Sequence, residues 1–393
     1  MLWKVLSDQP NPKAGFLFHL PETWQPIASC LLSILPILMV FPTLFALTTV
    51  LERKGLGRIQ NRLGPNRVGP MGFLQFAADG IKTLTKEDIV PRAADRVVHF
   101  LAPIVLVVPI LLTFSVLPYG RNLVPIQMDA GLLFFFAVGA ATEVAVFMAG
   151  WASRNKYSLL GATRAIAQMI SYEIPLILSA LTVVMISGTL SLPDIVAAQS
   201  AQPGDWLARW YFFTPWGFAG FLLFLVAACA EANRSPFDLP EGESEIIAGY
   251  YLEYSGFKFA LFFLGEYLGL FAASCLGITL FLGGWNPPFP FLTGWVPTWV
   301  WLLVKLFLLI ALFIWVRGTL PRLRMDQLMN FAWKFLLPLT LVNLVGAAFW
   351  HFLSNPILRW SVSGGLILGA YWLLGRGLMP SRRIGKRVYR YAT

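Results

Sequence analysis

The chain has 393 residues, 57% of them hydrophobic and 13% charged, with a mean hydropathy of +0.66 and a net charge of +10. Soluble domains carry about 25% charged residues, so a soluble multidomain enzyme is excluded, as is a disordered or fibrous chain. The apolar runs are continuous and not alternating, which argues against an outer-membrane barrel and leaves a polytopic helical membrane protein.

A span needs about 20 apolar residues to cross the hydrocarbon core. In chain order the candidates are Ile27–Leu51, Val97–Leu117, Leu132–Trp151, Leu159–Ile186, Trp216–Glu231, Phe257–Leu282, Trp299–Val316, Phe335–Phe352 and a glycine-rich Trp360–Leu378. Met1–Pro26 is polar and does not read as a signal peptide. No repeat divides the chain. The expected organisation is an extension over 1–26, a membrane domain over 27–352, and a second extension over 353–393.

Charge sets the expected orientation. With the N-terminus outside, the inside connections hold 24 Lys and Arg against five outside, and Lys305 falls within a span. The positive-inside rule therefore makes the N-terminus external. Eight spans would leave Arg376, Arg382, Arg383, Lys386, Arg387 and Arg390 outside; a ninth helix at Trp360–Leu378 returns this basic tail to the cytoplasm.

Two inside connections carry unusual sequence. Glu52–Arg96 contains the rigid Gly64-Pro65-Asn66-Arg67-Val68-Gly69-Pro70, followed by an amphipathic helix over Met71–Thr85. Phe73, Ala77, Ile81 and Leu84 form its apolar stripe, and Asp79 and Lys82 lie off it. This helix either rests on the membrane surface or closes a cavity with its apolar stripe turned to the bundle. The second connection is acidic on a basic side: Glu231, Asp238, Glu241, Glu243, Glu245, Glu253 and Glu266 face only Arg234 and Lys258.

Carboxylates within spans are costly and mark ion or proton paths. Glu143, Glu173, Glu231 and Glu266 qualify. At about 1.5 Å per residue, Glu231 lies at the inner surface, Glu143 and Glu266 roughly 12–14 Å down, and Glu173 roughly 21 Å down. With Glu241, Glu243 and Glu245 at the mouth, they form a ladder. Mutually neutralising ion pairs are the plainer alternative. The scattered Cys30, Cys229 and Cys275 and the lone His19, His99 and His351 give no metal or iron–sulfur pattern, and no nucleotide-binding loop is present.

Glu52-Arg53-Lys54, Gln60-Asn61-Arg62-Leu63-Gly64-Pro65-Asn66-Arg67-Val68-Gly69-Pro70, Ala78-Asp79-Gly80-Ile81-Lys82, and the stretch from Glu231 to Glu245 (EANRSPFDLPEGESE) resemble one family closely. It is the quinone-binding membrane subunit of respiratory complex I, known as NADH dehydrogenase subunit 1 and, in the bacterial enzyme, as the H subunit. The resemblance runs from about Ile27 to about Phe352. It implies an all-α polytopic fold of eight family-type spans with a cytoplasmic amphipathic helix; the ninth C-terminal helix falls outside that pattern.

The implied function is quinone reduction coupled to proton pumping in a bacterial inner membrane. Ubiquinone or menaquinone would be the substrate, and this chain would bind no flavin (FMN), iron–sulfur cluster or metal. Implied partners are the peripheral-arm subunits of the quinone site and terminal cluster, small neighbouring membrane subunits, lipid and quinone, with no nucleic acid. Glu143, Glu173, Glu231, Glu241, Glu243, Glu245 and Glu266 match the family's proton path. Arg53, Arg62 and Asp79 match its chamber and arm-interface positions, and Ala77 and Ala78 are assigned to the chamber with them. A secondary transporter or ion channel using the same acids is the alternative, against which stand the missing inverted repeats. A mere scaffold would carry its buried acids at needless cost.

Overall fold

A computed structural model describes residues 25–121, 123–201, 206–238, 248–292 and 295–378, with side chains from 34 to 376 among them. Every described element of any length is helical: α1 (Gln25–Ile59), α2 (Gln75–Thr85), α3 (Arg96–Thr113), α4 (Gly131–Gly139), α5 (Ala141–Ala152), α6 (Lys156–Ser187), α7 (Leu192–Ala198), α8 (Pro215–Glu231), α9 (Gly256–Phe281), α10 (Thr298–Thr319), α11 (Met325–Phe331), α12 (Leu337–Phe352) and α13 (Pro356–Leu378). Among the described residues eight helical stretches are long and apolar enough to cross a membrane, and α8 is a shorter apolar helix beside them. The nine expected spans are therefore present as helices.

The ends of these helices follow local chemistry. Asp95 caps α3 by accepting from the Val97 and Val98 amides, Asn155 caps α6 through Tyr157 N, and Thr214 caps α8 through Gly217 N. The span expected at Leu132–Trp151 is broken at Ala140 into α4 and α5, which puts Glu143 in the first turn of α5. A carboxylate there sits at the positive end of the helix dipole. A π turn over Ala332–Leu336 joins α11 to α12, and Trp333 Nε1 donates from it to Ser171 Oγ of α6 at 3.3 Å.

Helix α6 packs against α5, α8 and α12, while α9 packs against α3, α8 and α10. Their shared core is dominated by fully buried Trp216, Phe224, Phe262, Phe271 and Phe281. The hydrophilic stretches 60–95, 232–238 and 248–255 lie at one end, the basic end. C-terminal helix α13 folds back along α12, with Trp360 against Trp350 near the turn and Tyr371 against Phe335 at the far end of the pair. Contacts at both ends place α13 alongside the bundle, as expected of a ninth span and unlike a surface-lying segment.

The amphipathic helix departs from expectation. It begins at Gln75, after a 3-10 turn at Pro70–Gly72, and not at Met71. Its apolar stripe does not face the bundle: Ile81 and Leu84 are 63% and 65% exposed, and Phe73 is 43% exposed. The side turned towards α1 is the polar one, where Asp79 meets Arg53 at 2.5 Å and accepts from Gln75 Nε2 at 2.9 Å. The cause is upstream. Lys54 donates to Met71 O, and Gly72, at φ +77°, lies so close to the Pro65 carbonyl that a Cβ would stand 2.2 Å from its oxygen. This folded Gly-Pro segment sets the rotation of α2, which turns Asp79 to Arg53 and leaves the apolar stripe outward.

A second close approach joins α6 to the acidic connection. A Cβ on Gly161 of α6 would stand 2.7 Å from Gly249 Cα, and Ser158 Oγ donates to Tyr250 O at 2.9 Å. Gly161→Leu is expected to overpack this contact and destabilise the fold by about 1–3 kcal/mol, seen as a lowered Tm in detergent. Gly365→Leu, introduced where a Cβ meets open space, should leave Tm unchanged.

Candidate functional site: a carboxylate cavity and a buried ion cluster

Four acids predicted at different depths come together. Glu143 and Glu173, on neighbouring helices, lie within electrostatic range of each other. Glu231, at the last turn of α8, lies within electrostatic range of both. Glu231 and Glu266 line one cavity of about 70 Å³ with Thr142, Asn233, Tyr250 and Gly265, room for several waters. Tyr250 donates to Glu266 Oε1 at 3.0 Å. All four acids are half-buried.

The acids expected to form a ladder are thus neighbours across four helices. Which of them meet depends on the offset between the helices. Gly150 packs directly on Ala162, where a Cβ would lie 2.3 Å from the alanine methyl. Continuing antiparallel from that contact brings Glu143 towards Met169 and, one turn on, Glu173. The turn after α8 folds into the bundle too. Gln168, fully buried, donates its amide to Ala230 O at 2.7 Å, Asn233 Oδ1 at 3.2 Å and Phe237 O at 2.7 Å, which holds the turn after Glu231 against α6.

Glu241, Glu243 and Glu245 lie outside the described residues. The basic-end residues Arg53, Asp79, Ala77 and Ala78 stand together, with Arg53 and Asp79 paired and both alanines half-buried on α2. Arg62 is exposed and donates to Gln60 Oε1 at 2.8 Å, apart from that pair. Glu253 accepts from Asn155 Nδ2 at 2.7 Å. His99 is buried and stacked on Tyr254 at 3.9 Å, in line with a structural role. Among the described residues no three His, Cys, Asp or Glu side chains gather as a metal set.

The strongest feature does not stand out in the sequence. Glu52 of α1, with its side chain 7% exposed, accepts from Tyr267 OH at 2.6 Å, from Arg234 Nη1 at 3.5 Å, and from Arg317 Nη1. The Arg234 guanidinium lies 3.9 Å over the Tyr267 ring. Sequence reasoning places Glu52 and Arg234 in the motifs that carry the resemblance but gives them no pairing, and uses Arg317 as a topology marker. The available signal is Glu52's place at the end of an apolar run, where a buried carboxylate demands a cation.

Adjacent residues join the two features. Glu266 faces the cavity and Tyr267 the cluster; Asn233 lines the cavity and Arg234 the cluster. Consecutive residues point about 100° apart on a helix, so α9 divides acid cavity from ion cluster while carrying a functional group on each side.

These observations define a polytopic helical membrane protein built around a carboxylate-lined cavity. The chain belongs to the NADH dehydrogenase family, whose family model matches residues 32–348. It is 50% identical over 332 residues to the NADH-quinone oxidoreductase H subunit of Dehalococcoides mccartyi strain CBDB1, covering 84% of this chain and 89% of that protein. It is 52% identical over 295 residues to the corresponding protein of Geobacillus kaustophilus (75% of this chain, 85% of the relative). For that of Carboxydothermus hydrogenoformans the identity is 47% over 312 residues, with 79% and 85% covered. The resemblance read from the motifs is borne out.

Breaking a buried ion pair by removing one partner costs about 3–5 kcal/mol, because the other charge is stranded. Glu52→Ala strands Arg234 and should destabilise by that order. Tyr267→Phe removes one hydrogen bond to a charged group and should cost about 1.5–3 kcal/mol. Thermal unfolding in detergent orders the two; equal effects would contradict a cluster centred on Glu52.

Proposed function

We propose that this chain is the quinone-chamber subunit of a proton-translocating NADH:quinone oxidoreductase, sitting in a bacterial inner membrane with its basic end on the cytoplasmic side. Membership of the family and the names of its relatives support the assembly. The observation that carries the coupling role is the cavity lined by Glu231 and Glu266, with Glu143 and Glu173 within electrostatic range of Glu231. Like carboxyls held together cannot all be ionised, so protons entering or leaving the group shift the charge felt by its members. That is what a site converting quinone chemistry into proton movement requires.

In this reading the quinone, ubiquinone or menaquinone, enters near α2, bounded by Arg53, Asp79, Ala77 and Ala78, with Arg62 towards the peripheral arm. Reduction takes two electrons and two protons; the electrons come from partner subunits, and Glu241, Glu243 and Glu245 connect the chamber to the cavity. Residues 27–352 are the working membrane domain, and 1–26 and 353–393 are extensions to it.

Isolation of the chain should bring flavin and iron–sulfur subunits with it. In the assembled complex, Glu173→Gln and Glu266→Gln keep shape and remove titration. Each should abolish quinone reduction, pumping or both, with NADH oxidation by an artificial acceptor retained; full quinone-linked pumping in both would refute the role. Ala77→Trp or Ala78→Trp should raise the apparent quinone KM, and unchanged kinetics would remove α2 from the chamber. A reporter fused after Thr393 should give a cytoplasmic signal.

A further inference from the structure

Tyr250 is 1% exposed and lines the acid cavity, where its hydroxyl donates to Glu266 Oε1 at 3.0 Å. The two residues belong to different parts of the fold. Glu266 stands ten residues into α9, whereas Tyr250 lies in the 3-10 turn Gly249–Tyr251 that ends the acidic connection. The connection therefore reaches the cavity with a side chain of its own.

Both the ring and the backbone of Tyr250 are held. The ring meets Tyr251 and Phe262 edge-on, with centroids 4.7 Å and 5.7 Å away. The backbone is seated on α6: Ser158 Oγ donates to Tyr250 O at 2.9 Å. Gly161 makes room for this seat, because a Cβ there would stand 2.7 Å from Gly249 Cα and 3.0 Å from Tyr250 N. A phenol packed on both sides has little freedom to turn its hydroxyl elsewhere.

The carboxyl it meets shares the cavity with open volume. Gly139 and Gly269 line the same space, and a Cβ on either would find no atom within 4 Å. Gly269 follows Glu266 by nearly one turn of α9, so no side chain fills that part of the wall, and the cavity has room for several waters. A glutamate is long and loses much rotamer freedom when fixed. A proton-exchanging carboxyl works best when a rigid donor has already fixed its orientation.

We infer that Tyr250 is the positioning residue of Glu266: its hydroxyl, delivered by the acidic connection seated on α6, holds Oε1 so that the carboxyl meets the cavity in one orientation. The inference rests on the coupling role proposed for the acid cavity, and it makes the seat of the connection on α6 a determinant of that role.

Tyr250→Phe in the assembled complex removes the hydroxyl and keeps the ring contacts. Losing a hydrogen bond to a charged group should lower the quinone-linked kcat about tenfold, with the quinone KM unchanged. Acid-minus-neutral infrared difference spectra of the resting complex supply a readout that does not depend on turnover. The carboxyl band that Glu266→Gln abolishes should be displaced in Tyr250→Phe. Ser158→Ala, which loosens only the seat, should move the same band and kcat in the same sense by a smaller amount. Tyr254→Phe, whose hydroxyl is buried away from the cavity lining, should match the parent. A parental band or a parental kcat in Tyr250→Phe would overturn the positioning role, as would a raised KM at unchanged kcat. So would failure of Tyr250→Phe to assemble beside a Ser158→Ala complex that behaves as the parent. Full quinone-linked pumping by Glu266→Gln would instead count against the coupling role of the cavity, and the infrared comparison would still decide whether Tyr250 holds Glu266.

Discussion

A charge buried in an apolar bundle must find a partner or be neutralised, and in this protein that requirement falls on Glu52. Its carboxylate draws Arg317 from the end of α10, Arg234 from the turn after α8, and the Tyr267 hydroxyl from the middle of α9. Four segments far apart in sequence are held at one point. The desolvation cost of such a cluster is large, and buried ion groups are weak evidence for net stability. What the cluster contributes is specificity: it draws partners from four segments, and rotating any of them away leaves a buried charge unpaired.

The acid cavity inherits its geometry from that pairing. Once Tyr267 is turned to Glu52, Glu266 must face the other side of α9; once Arg234 is in the cluster, Asn233 and Glu231 are carried into the cavity wall. Gln168 reinforces this by holding the 230–237 turn against α6, and the close approach of Gly161 to Gly249 delivers Tyr250 to Glu266. The cavity is therefore a consequence of pairing on its far side as well as of its own residues. The two ends of α9 differ in the same spirit: carboxylates gather at its middle, and the carbonyl-bound ammonium of Lys305 caps its C-terminal end.

Helix α2 shows how the segment before a helix decides between its surfaces. Hydrophobic periodicity favours burying Ile81 and Leu84, yet Asp79 is turned to Arg53 and the apolar stripe is left outward. The outward stripe and the exposed Leu63, Met71 and Ile89 form an apolar surface at the basic end. Such a surface is stable where lipid or other protein covers it, which suits a subunit of a larger assembly.

What was legible in the sequence is what depends on one residue type or one period. Runs of about 20 apolar residues specified the membrane class and the helices, because backbone groups in lipid must be satisfied within the segment itself. The ninth helix followed from the basic tail, and the family from its charged motifs. Individual acids such as Glu143, Glu173 and Glu266 stood out because a charge in an apolar run is rare. Only the tertiary structure decided which of them meet. The offset between neighbouring helices, seen where Gly150 packs on Ala162, decides which acids become neighbours, and no single helix encodes that offset. Glu52 and Lys305 went unread for the same reason: a lone charge near the end of a span shows its meaning only when the carbonyls, guanidinium groups and rings that surround it arrive from other parts of the chain.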